Sequence, residues 1–148
     1  MDNSKRVVIV HTLGSSIANT ISYLEKLGFS RKTMHIARTC EELLRYVLLQ
    51  KVDLIILDEG RESVDDPYAV CRNIKEQDDI KNIPVFISPC VDDGLGGIKA
   101  IGARAEGFLK KPLNNLMGTE KALNQLFRIA DLQEKIDTKW SSWGMSNV

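Results

Sequence analysis

The sequence is poor in the features that announce a specialised class. It has no charge of a prevailing sign: 20 Lys and Arg stand against 20 Asp and Glu, with a sequence pI near 6.7. A nucleic-acid platform shows a basic excess gathered on one face, so nucleic acid is excluded as a partner. Cysteine is scarce. Cys40, Cys71 and Cys90 are odd in number, far apart and in no metal-ligand spacing, so reduced thiols in a cytoplasmic protein are expected. No apolar run exceeds about five residues, far short of a membrane span, and no basic, apolar and small-residue series marks an export signal. A chain of 148 residues makes one domain, large enough to bury roughly 70% of its unfolded surface without staples.

What the chain does have is alternation. Short apolar runs at Val7–Val10, Met34–Ala37, Leu54–Leu57, Val85–Ser88 and Gly107–Lys110 are separated by stretches of helical periodicity. Ile17, Ile21, Leu24 and Leu27 give the first helix, opened by Ser15 or Ser16 and closed by Gly28 in a left-handed cap. Thr39-Cys-Glu-Glu42 is a capping box that launches the second. Asp66-Pro67 supplies an N-cap and a first-turn proline for the third. A glycine-rich stretch, Gly94 to Gly97, leads into a short fourth helix around Ile98–Ile101. It lacks the lysine and hydroxyl of a phosphate loop.

This order predicts an α/β fold, a five-stranded parallel sheet with helices on both faces. Asp58, Ser88 and Lys111 then share the carboxyl edge of the sheet, where ligands and chemistry gather in such folds. The last helix runs long. Ala122, Leu123, Leu126, Phe127 and Ala130 form one apolar stripe, and Leu126, Ile129, Leu132, Ile136 and Trp140 form a second. The division expected is a domain over 1–130 and a helical extension over 131–148. Ile136, Trp140 and Trp143 are its candidate partner surface, for a second copy or another protein.

VDLIILD at residues 52–58 and GFLKKPL at 107–113, with CRNIKEQDDIKNIPV between them, resemble the receiver domain of two-component response regulators, a flavodoxin-like fold. The resemblance covers residues 5 to 130 and implies a role for each matched position. Asp58 would accept a phosphoryl group from a histidine kinase partner. Lys111 would pair with the phosphoryl oxygens. Ser88 and Phe108 would be the hydroxyl and aromatic switch residues, and the bond to Pro112 is a cis-peptide candidate.

One departure weighs on function. In the family, two acids at the end of the first strand hold magnesium, whereas here the strand ends in His11-Thr12. Imidazole is a poor magnesium ligand, and Glu59 is the one other carboxylate nearby in sequence. No metal or other cofactor is therefore expected, unless phosphorylation is retained and magnesium with it. The imidazole is expected at the pocket rim as a satisfied polar residue, with a hydrogen bond to Asp58 as the next reading and a transition-metal site behind both. The reading that follows is a pseudo-receiver: a non-enzymatic signalling module that works by contact with a histidine kinase or output protein. The alternative is an active receiver phosphorylated on Asp58.

Overall fold

A computed structural model of the chain describes residues 4–11, 17–59, 66–89, 94–111 and 113–144. Thr12, Cys90 and Pro112, and the helix-opening serines 15 and 16, lie outside the described residues. The chain divides into two units, Met1–Leu116 and Met117–Val148.

The first unit is built on five strands: β1 (Val7–His11), β2 (Met34–Ala37), β3 (Leu54–Asp58), β4 (Val85–Ser88) and β5 (Gly107–Phe108). All neighbours pair in parallel in the order β2-β1-β3-β4-β5. The central strands β1, β3 and β4 are almost wholly buried, while β2 and β5 at the edges are not. That gradient is why VVIV, LIIL and VFI are apolar on every residue: a strand covered on both faces has no solvent side to alternate with. The fifth strand is shorter than its apolar run. Only Gly107 and Phe108 are ladder residues, although the Leu109 amide still donates to the Ile87 carbonyl at 2.8 Å.

Helices α1 (Ile17–Lys26), α2 (Cys40–Leu49), α3 (Pro67–Glu76) and α4 (Gly96–Gly102) connect the strands. Their ends follow the cap chemistry of the sequence. Thr39 Oγ1 accepts from the Glu42 amide at 3.1 Å, and Glu42 reaches back to the Arg38 amide at 3.0 Å. Asp66 Oδ1 accepts from the Tyr68 amide at 3.0 Å, with Pro67 in the first turn. Gly28 takes φ 104° after α1. Arg104 takes φ 63° after α4, in a Schellman closure with Ala105 N–H on the Ala100 carbonyl, a place more often held by glycine.

Alternation along the strands sorts the core. Val8, Ile55, Leu57, Val85 and Ile87 meet Leu43, Cys71, Ile74 and Ala100 of α2, α3 and α4. Val7, Ile9, Leu54 and Ile56 face the other way and are equally buried. At the amino end of the sheet, buried Lys75 donates to the carbonyls of Lys81 (3.0 Å) and Ile83 (2.9 Å) and pairs with Glu106. Glu106 in turn accepts from the Val85 amide at 2.9 Å. A buried ammonium needs such a set of acceptors to offset its lost hydration.

The second unit is carried by one helix. α5 (Leu116–Ser142) begins ahead of Ala122, the first residue of its apolar stripe. Among the described residues no helix is long and apolar enough to cross a membrane.

Candidate functional site

The parallel register places three polar residues in one row. His11 pairs with Asp58 across β1 and β3, and Asp58 pairs with Ser88 across β3 and β4. Register partners on adjacent strands share a face, with backbones about 4.8 Å apart. An imidazole, a carboxylate and a hydroxyl therefore stand side by side where the hydrophobic layer ends. All three are buried, Ser88 and the Asp58 side chain completely.

The Asp58 carboxylate is fully engaged. Lys111 Nζ approaches Oδ1 at 2.6 Å and also donates to the Glu59 carbonyl at 3.2 Å. Thr20 Oγ1, from α1, donates to Oδ2 at 2.8 Å. His11 Nδ1 stands 3.2 Å from the same oxygen, without the alignment of a hydrogen bond. In place of a hydrogen bond, His11 and Asp58 make a close polar contact. A carboxylate buried in this way is stable only with a cation and donors around it, and Lys111 and Thr20 supply them.

Thr20 escaped sequence reasoning. The signal was present: it falls between Ile17 and Ile21 on the buried stripe of α1, a hydroxyl where the periodicity asks for an apolar residue. Glu59 does not join the row. Strand alternation turns its side chain to the opposite face, where it lines a cleft with Asp66, Tyr68 and Arg72. Phe108 also lies on that face, as the register partner of Ile87, with its ring against Gly96 of α4. Thr20 and Lys111 form the floor of a second cleft of about 460 Å³, walled by Asn19, Tyr23, Lys26 and Asn114. The roles expected of Thr12 and Pro112 lie outside the described residues.

Among the described residues, the donor set beside Asp58 does not fit magnesium. That ion requires near-octahedral oxygen ligands at about 2.1 Å. Beside Asp58 stand an imidazole nitrogen, an ammonium group and a hydroxyl that already donates its proton. Among the described residues no three His, Cys, Asp or Glu side chains gather as a metal site.

On α5, Ile136, Trp140 and Trp143 are exposed by 48%, 36% and 61%. The two indoles meet edge to face, with centroids 6.0 Å apart.

Strand order, the aspartate ending β3 and the lysine beyond β5 define a receiver-type, flavodoxin-like fold with a long C-terminal helix. Solved structures agree. The receiver domain of a signal transduction histidine kinase from Syntrophus aciditrophicus is similar at 25% identity and TM-score 0.64, over 82% of this chain and 89% of that one. A response regulator receiver domain protein from Clostridium thermocellum superposes with TM-score 0.67 at 20% identity, over 87% and 98% of the two chains. The receiver domain of a sensor histidine kinase from Pseudomonas aeruginosa, with magnesium coordinated in its active-site cleft, gives TM-score 0.64 at 18% identity, over 82% and 96%. No family model matches the chain, and no curated protein matches its sequence.

Proposed function

We propose that this chain is a receiver-type module of a two-component or phosphorelay system that signals by protein–protein contact, with phosphoryl transfer weakened or lost. One observation carries this reading: the Asp58 carboxylate is already paired with the Lys111 ammonium and the Thr20 hydroxyl, and an imidazole stands 3.2 Å from it. The P. aeruginosa receiver coordinates magnesium in its cleft. Here an imidazole nitrogen, a poor ligand for magnesium, stands beside the acceptor. Without a metal to bridge donor and acceptor oxygens, Lys111 is the one ammonium at Asp58 among the described residues to offset the charge that develops during transfer. The module is non-enzymatic and cytoplasmic in this reading. Its partners are a histidine kinase, an output protein or a second copy of itself.

A second reading is favoured by Ser88. Its Oγ is fully buried and has no hydrogen-bond partner among the described residues, a condition that costs about 1–3 kcal/mol. A phosphoryl oxygen on Asp58 would satisfy it, as in an active receiver. Incubation with acetyl phosphate, with and without magnesium, decides between the two. Intact-mass analysis is expected to show no phosphoryl adduct. An adduct mapped to Asp58 and dependent on magnesium would overturn the first reading.

A further inference from the structure

The second half of α5 carries an apolar stripe that the receiver chemistry leaves unused. Ile129, Leu132, Ile136 and Trp143 are 63%, 51%, 48% and 61% exposed, and lie three, four and seven residues apart. This is the a-d-a-a spacing of a heptad seam, with Lys139 at the intervening d position. The ammonium of Lys139 lies over the Trp143 ring, 5.2 Å from its centroid, a cation–π contact within the seam itself. Ile at a with Leu at d favours two parallel strands.

The flanks of the stripe select both the partner and its direction. Arg128 and Lys135 border it on one side. On the other lie Gln133 and Trp140, with Asp137 one position further out and joined to Gln133 by a hydrogen bond from Gln133 Nε2 to Asp137 Oδ1 of 2.8 Å. A parallel pair sets the basic flank of one helix beside the Gln133 and Trp140 flank of the other. An antiparallel pair sets Arg128 and Lys135 against their own copies. Over residues 117–144 four basic residues (Lys121, Arg128, Lys135, Lys139) balance four acidic ones (Glu120, Asp131, Glu134, Asp137). The helix therefore has no net charge to draw it to an anionic membrane.

We infer that a second copy of this chain covers the stripe, with α5 pairing in parallel and in register over residues 128–143. The inference rests on reading the chain as a module that works by protein contact, and it names the contact. A symmetric interface of this kind is self-complementary. The seam is only a little over two heptads, so the dimer belongs to the small, weak class of interfaces and forms with rising concentration.

Sedimentation velocity of the full chain over roughly 5 to 500 µM should show monomer passing into dimer. Leu132→Asp with Ile136→Asp should hold it monomeric while thermal stability and far-ultraviolet dichroism stay unchanged, because both positions are exposed. Lys139→Cys, with Cys40 and Cys90 replaced by serine, should form a disulfide-linked dimer under mild oxidation. A chain that stays monomeric throughout would overturn the inference, as would a dimer that survives the double aspartate substitution. Failure of Lys139→Cys to cross-link would overturn the parallel register. Binding to phosphatidylglycerol vesicles that the double substitution abolishes, with no dimer in solution, would assign the stripe to a membrane. Acetyl phosphate treatment of the monomeric variant tests the reading of Asp58 separately from all of these outcomes.

Discussion

His11 and Asp58 are register partners on adjacent parallel strands, and His11 Nδ1 stands 3.2 Å from Asp58 Oδ2 inside a buried row. One end of the carboxylate thus meets Lys111, and the other meets an imidazole and the Thr20 hydroxyl. The negative charge is met by protein groups on every observed side.

Replacing the imidazole should create the missing metal demand. In His11→Asp, two carboxylates occupy neighbouring positions of the row, and like charges so placed disfavour joint ionisation. In chelator the variant should be less stable than the parent by about 1–3 kcal/mol. Magnesium at roughly 100 times its dissociation constant should return about 2.7 kcal/mol by binding the folded form. Thermal melts with chelator or magnesium measure this directly. The parent's midpoint should not respond, and a matching rise in the parent would sink the metal-free reading.

The position of Phe108 depends on one missing methyl group. A Cβ built on Gly96 falls within the Phe108 ring. Gly96→Ala should therefore displace the ring or α4 and destabilise by about 1–3 kcal/mol, as overpacking does. In a Phe108→Ala background the same substitution should cost almost nothing. A double-mutant cycle from urea unfolding reads the coupling. Equal penalties in both backgrounds would show that the ring is not the obstacle.

Cys71 offers a pH signature of the core. Burial pushes its thiol up from 9.0 to about 11; Lys75, Arg104 and Arg72 pull against that shift, and Glu106 adds to it. The folded state thus holds a proton that the unfolded chain releases. Its contribution is complete below pH 9.0 and is lost as pH rises toward about 11. The loss should amount to about 2–3 kcal/mol. Urea unfolding at a series of alkaline pH values, with Cys71→Ala as reference, isolates the term from other titrating groups. Parallel pH profiles for the two proteins would contradict it.

Local chemistry is written plainly in this chain. The apolar runs, the Thr39 and Asp66 caps and the turn at Gly28 each act over a few residues. They therefore announced β1 to β4 and the start and end of each helix they cap, and the receiver-type order with them. Asp58, Ser88 and Lys111 could be assigned to one edge because parallel strands put all their carboxyl ends on one side.

Tertiary structure decided what local pattern cannot carry. Register set His11 and Ser88 on either side of Asp58 rather than a residue above or below, and strand alternation sent Glu59 to the opposite face. The packing of α1 brought Thr20 onto the carboxylate from 38 residues away in the chain. The sequence determined by itself that an aspartate ends a buried strand and that the first strand ends in His11. Only the fold decided how its charge is met, because that depends on distances between segments that no local propensity encodes.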